Sequence, residues 1–168
     1  MTKSLFVSII ILLTISVFDS AILSNISFLP AVPDFLLLAV IYLSLINGRG
    51  YGATAGFISG LFWDFLSGCP FGMNCLLRSI LGYFPGLFSR SINYTGFFFF
   101  FSFGFIGTIV KVFATWVISL FFPNLIINYD IISIVFLFEL ACNTVLAPLV
   151  FKVLGFFEKF VRLNDGDL

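Results

Sequence analysis

Apolar residues run almost unbroken along this chain in six stretches, separated by short polar clusters. The first extends from Leu5 to about Leu23, behind Lys3. The second, Asp34 to Ile46, closes on Asn47-Gly48-Arg49-Gly50, and the third, Tyr51 to about Leu66, closes on Ser67-Gly68-Cys69-Pro70. The fourth runs from about Gly72 to Phe88, before Ser89-Arg90, and the fifth from Phe97 to Phe122, before Pro123-Asn124. The sixth is Ile131 to Phe151, leading into a tail from Lys152 to Leu168. A spanning helix takes about 20 predominantly apolar residues. The pattern therefore predicts an all-α polytopic protein, a six-helix transmembrane bundle forming one integral membrane domain over 1–168. Segments two and three hold only 13 and 16 residues, so each needs flanking residues to cross. For segment two these are Phe28, Leu29, Ala31 and Val32, and a re-entrant path is the other arrangement. No small-x-small cleavage pattern follows segment one, which is expected to remain as a span.

Composition narrows the picture further. Of 168 residues, 61% are hydrophobic and only 10% charged, with mean hydropathy +1.19, whereas soluble domains carry about 25% charged residues. Six spans consume roughly 120 residues, and the remainder cannot bury the core of a separate soluble domain. Histidine is absent, which excludes Ser-His and Cys-His catalysis and His-ligated metal or haem sites. Net charge is zero and no Lys/Arg cluster is present, which argues against a nucleic-acid partner. Cys69, Cys75 and Cys142 lack C-x-x-C spacing and read as small apolar residues. With no nucleophile–base pair, metal cluster or phosphate loop in view, neither catalytic residues nor a cofactor is expected. Phe contributes 26 residues, a bias that lipid tolerates.

The placement of basic residues predicts orientation. Lys3, Arg49, Arg90, Lys152, Lys159 and Arg162 fall on one side if every segment spans, while connections 24–33, 67–71 and 123–130 contain no Lys or Arg. By the positive-inside rule both termini are expected in the cytoplasm.

Four charges stand inside segments three to six: Asp64, Arg78, Lys111 and Glu139. Each costs roughly 2.5–3.5 kcal/mol on insertion scales, so partners are expected. Matching depths predicts two intramembrane ion pairs, Asp64–Arg78 across the hairpin of segments three and four, and Lys111–Glu139, with Asn143 beside Glu139 at i+4. Such pairs pin a bundle; a proton or ion relay is the sharper alternative. Gly52, Gly56 and Gly60 recur every four residues in segment three, and Gly82 and Gly86 repeat the spacing in segment four. These tracks predict close helix packing or docking of another membrane protein. Ser16, Ser20 and Ser24 form a similar stripe on segment one. In the tail, Val153, Phe156, Phe157, Phe160 and Leu163 share one helical face, with Lys152, Lys159 and Arg162 opposite, which predicts a helix continuing the last span along the cytoplasmic interface.

Several of these residues form a recognisable series. Pro33-Asp34 opens segment two; Gly52, Gly56 and Gly60 lead to Asp64-Phe65-Leu66-Ser67-Gly68; Pro70-Phe71-Gly72 and Gly82-Tyr83 follow, and Asn143 through Pro148 lie near the last helix end. In order and spacing they resemble the rod shape-determining protein family MreD, over about residues 30–86 and 143–151. The resemblance implies a non-enzymatic inner-membrane scaffold of the bacterial cell-elongation machinery. It implies an MreC-like single-span partner, working alongside an MreB-like filament, a RodA-like glycosyltransferase and a penicillin-binding transpeptidase in lateral peptidoglycan synthesis. It does not extend to Lys111 and Glu139. Short helices with small-residue stripes also resemble the substrate-binding subunits of energy-coupling-factor vitamin transporters, whose fold is thought similar. That alternative needs a pocket fed by outward loops, and its candidates Asn25, Asp34, Asn74, Asn124, Asn128 and Asp130 are scattered.

Overall fold

A computed structural model describes residues 2–21, 30–67, 70–89, 96–121 and 133–163. Each apolar segment is a helix: α1 (Thr2–Ala21), α2 (Phe35–Asn47), α3 (Arg49–Ser67), α4 (Met73–Gly86), α5 (Phe97–Phe121) and α6 (Ile134–Gly155), followed by the short α7 (Glu158–Val161). Among the described residues α1, α5 and α6 are long and apolar enough to cross a membrane.

The helices wear their apolar side outward. On α1 the buried face is Ser4, Ser8, Leu12, Ser16 and Asp19, at helical spacing, while Phe6, Ile10, Leu13, Val17 and Phe18 are exposed. On α5 the interior takes Gly104, Gly107 and Thr108, and Phe98, Phe105, Ile109 and Phe113 face out. On α6 it takes Glu139, Asn143 and Thr144, with Leu137, Val145 and Leu149 outside. In water this arrangement would expose apolar surface far beyond the few hundred Å² a monomer tolerates. In lipid it is the low-energy choice, because tails solvate the Phe and Leu side chains and small or polar residues hold helix to helix.

Helix α2 is the exception and the axis of the bundle. From Leu36 to Leu45 every residue is buried, and it packs against α1, α3, α4, α5 and α6. A helix apolar on all faces belongs in such a central position. It turns directly into α3 through Gly48, whose φ of 89° is a conformation other residues rarely adopt.

Helices α3 and α4 form the closest contact, and the glycine tracks are its two surfaces. A β-carbon on Gly52 would strike the Gly82 carbonyl and the Ser44 side chain of α2. One on Gly56 would strike the Arg78 carbonyl, one on Gly60 the Asn74 carbonyl, and one on Gly86 the backbone of Arg49. Ser44 donates to the Gly82 carbonyl at the point where the three helices meet. The tracks therefore face each other inside the bundle. Gly104 plays the same part between α5 and α6, lying against Ala147 and the Asn143 carbonyl.

Two ends can be distinguished. The near end gathers the starts of α1, α3 and α5, the ends of α2, α4 and α6, and α7. The expected continuation of the last span into one amphipathic helix is corrected here: α6 stops at Gly155, and α7 begins after a turn at Phe156-Phe157. The tail folds back because polar groups capture it. Ser4 donates to the Val161 carbonyl, and Asn47 both donates to that carbonyl at 3.2 Å and accepts from Leu163 N–H at 2.8 Å. Val161 and Leu163 are thereby buried, while Phe156, Phe157 and Phe160 stay exposed, so the expected single apolar face is divided. Tyr51 accepts or donates to Ser4 at 3.1 Å and Ser8 at 2.7 Å, tying α1 to α3 at this end.

Candidate functional site: a buried charge network at the start of α2

Helix α2 begins inside the bundle. Its partners stand inside their own helices, Lys111 ten residues before the end of α5 and Glu139 five residues after the start of α6. The first N–H groups of a helix have no partner within it, and this end is buried, with Asp34 only 8% exposed, so side chains must satisfy them. Asp34 caps its own helix, accepting from Leu37 N–H at 2.8 Å. Asp19 of α1 accepts from Leu36 N–H at 3.2 Å, and Asn143 of α6 accepts from the Asp34 N–H at 2.8 Å. Two carboxyl groups at the positive end of the helix dipole are favourably placed.

The Asp34 carboxylate then meets two cations. Arg78 of α4 grips it with both terminal nitrogens, at 3.2 Å to Oδ1 and 3.3 Å to Oδ2. Lys111 of α5 donates to Oδ2 at 2.7 Å and, on its other side, to Glu139 Oε1 of α6 at 2.6 Å. The Arg78 guanidinium also lies over the Trp63 ring, 5.6 Å from its centre, a cation–π contact from α3. Asn143 extends the network to Thr108 of α5 at 3.1 Å. Every helix from α1 to α6 contributes, and Asp34, Arg78, Glu139 and Asn143 are each at least nine-tenths buried.

The Asp64–Arg78 pair expected from the hairpin is not formed. Asp64 instead caps α4 from the neighbouring helix, accepting from Gly72 N–H at 2.8 Å and Asn74 N–H at 3.2 Å, from the Asn74 amide at 2.8 Å and from the Cys75 thiol at 3.3 Å. The cause is local. Gly72, the residue before α4, has φ of 93° and no side chain with which to cap, and the short connection brings those free N–H groups to Asp64. Replacing Asp64 by Ala is expected to destabilise the α3–α4 hairpin by about 0.5–2 kcal/mol, the usual cost of a lost cap; an unchanged thermal midpoint in detergent would refute that role.

The other motif positions are distributed around this core. Pro33 is buried immediately before Asp34, and Pro148 is buried inside α6. Ser67 is exposed at the end of α3, donating to the Trp63 carbonyl at 2.7 Å, and Tyr83 is exposed on α4 with its ring 6.1 Å from Phe84. Gly68 lies outside the described residues, as do Ser24, Cys69, Arg90 and the loop candidates Asn25, Asn124, Asn128 and Asp130. Sequence reasoning missed Asp19 and the ionic role of Asp34. The signal for Asp19 was its place on the face of Ser4, Ser8, Leu12 and Ser16 within an otherwise apolar run.

Chemically the network is a lock. Arg78 and Lys111 hold both oxygens of Asp34, Lys111 also holds Glu139, and no group of three or more Cys, Asp or Glu placed to hold a metal occurs among the described residues. Apolar side chains outside and interlocked polar ones within define an integral membrane helix bundle. The chain belongs to the rod shape-determining MreD family, whose model matches residues 2–159 of the 168. Searches of curated proteins and of solved structures give no match. The protein is thus a rod shape-determining membrane protein.

Proposed function

We propose that this protein is a non-enzymatic scaffold of the bacterial cell-elongation complex in the inner membrane, acting by binding an MreC-like single-span partner. Through that partner it joins an MreB-like filament, a RodA-like glycosyltransferase and a penicillin-binding transpeptidase in lateral peptidoglycan synthesis. The observation that carries this reading is the family match along nearly the whole chain. It favours the scaffold over the vitamin-transporter subunit. A bundle locked by buried ion pairs and backbone-to-backbone helix contact suits a rigid platform whose outer faces are available to other membrane helices.

The test is isolation of the tagged protein in mild detergent and identification of what accompanies it. A single-span MreC-type protein is expected; recovery of neither such a protein nor any cell-wall synthesis component would overturn the reading.

We further propose that helices α1 to α6 all span, the shorter ones with flanking residues, and that the near end is cytoplasmic. Lys3, Arg49, Lys152 and Lys159 belong to helices of that end and Arg162 directly follows α7, which supports this orientation by the positive-inside rule. In a background with all three cysteines replaced by Ser, Ser67→Cys is expected to react with an impermeant thiol reagent applied outside the cells. Lys159→Cys is expected to react only after the inner membrane is opened. The reverse pattern would invert the orientation.

A further inference from the structure

A half-open cleft of about 400 Å³ enters the near end between α2, α5 and α6, with Tyr42, Phe100, Pro148 and Phe151 among its walls and Lys152 and Glu158 at its mouth. The volume lies within the range of about 300–1,000 Å³ typical of small-molecule sites. Its origin is legible in the packing. Helices α5 and α6 are drawn together at Gly104 and Ala147. One turn nearer the mouth the large Phe100 and Phe151 rings stand between them, 5.2 Å apart, and Pro148 removes a backbone donor from α6.

We propose that this cleft holds one acyl chain of an anionic phospholipid, with Lys152 on the lipid phosphate. Three observations specify the occupant. The walls are mainly aromatic and aliphatic, which suits a hydrocarbon chain and gives water few partners. The mouth opens beside the exposed Phe156, Phe157 and Phe160, which next to Lys159 and Arg162 make an apolar face of the kind that settles into a membrane interface. Headgroups therefore lie where Lys152 ends α6. Glu158, which would repel a phosphate, is already engaged by Arg162 at 3.1 Å, so the cation at the mouth sets the preference.

The experiment uses the full chain in nanodiscs of phosphatidylcholine carrying a trace of lipid with a photoreactive diazirine in one acyl chain. The trace lipid is either phosphatidylglycerol or phosphatidylcholine, and labelled peptides are mapped after irradiation. Phosphatidylglycerol is expected to label the Phe100 and Phe151 peptides more heavily than the outward face of α1 around Phe6 and Ile10, and more heavily than the choline lipid does. Lys152→Gln, at an exposed site, should lower that labelling about fivefold, corresponding to the ~1 kcal/mol of one basic residue near an anionic surface. Ile46→Trp should fill the cleft and remove the label while the outward α1 label persists. Labelling spread evenly over the outer faces would overturn the proposal, as would equal labelling by both lipids or a Lys152→Gln variant that labels like the parent. Absence of label from the cleft, as a second copy or a partner helix seated there would produce, would overturn it as well.

Discussion

Replacing Asp34 by Ala is expected to cost about 3–5 kcal/mol, the scale for removing one partner from a buried ion pair. The variant leaves the Arg78 guanidinium, 4% exposed, without its carboxylate, takes an anion from Lys111, and uncaps α2. In lipid the stranded charge has no route to water short of distorting the bundle. The measurement is the fraction remaining monodisperse in detergent after heating, followed by size-exclusion fluorescence. The combined variant Asp34→Ala, Arg78→Met removes both charges, and Lys111 keeps Glu139, so part of the loss should return. A single variant as stable as the parent, or a double variant no better than the single, would show that Asp34 is not the keystone described.

The second large effect concerns α3 and α4. Gly56→Ala puts a β-carbon into the Arg78 carbonyl, and backbone cannot move aside as a flexible side chain can. Separating the helices there also loosens the Gly52–Gly82 and Gly60–Asn74 contacts, which share the same seam, and it drags Arg78 away from Asp34. A loss of at least the ~1–3 kcal/mol of ordinary overpacking is expected. Gly50→Ala is the control: it lies on the same helix with nothing within 4 Å of the added carbon, and it should remain within about 0.5 kcal/mol of the parent. Equal effects at the two positions would mean that the track is not a packing seam. The thermal midpoints of the two variants, measured side by side, decide it.

What could be read before the structure was known divides along a physical line. Helices follow from run length and breakers alone: Asn47-Gly48, Ser67 to Gly72 and Pro123 interrupt the backbone wherever they fall, so the six segments are evident in one dimension. Glycine at every fourth position likewise declares a close-packed face, because spacing of four is a property of one helix. Which partner fills that face is a property of two. Lys111 and Glu139 sit 14 and 16 residues from the near-end termini of their helices, and depth arithmetic suffices to bring them together. Asp34 defeats the same arithmetic, because it assumes that every segment starts at the membrane surface. Helix α2 starts among the other helices, with Asp34 buried, and nothing in the local pattern of Pro33-Asp34-Phe35 states that burial. Once Asp34 is inside, it outcompetes Asp64 for Arg78, and Asp64 turns to the uncapped N–H groups beside it. The tail failed for a related reason. Its apolar periodicity was genuine, but Ser4 and Asn47, distant in sequence, capture Val161 and Leu163 and break the periodicity into two short pieces.

The geometry at Asp34 also imposes a timetable on the growing polypeptide. Its three long-range partners lie 44, 77 and 109 residues downstream. When α2 is synthesised, none of them has yet been made. The carboxylate first gains Arg78 with α4, then Lys111 with α5, and its backbone N–H gains Asn143 only as α6 arrives. Until that last helix is in place the central helix carries an acid whose surroundings are incomplete, so the nascent bundle is distinguishable from the finished one by a single internal residue.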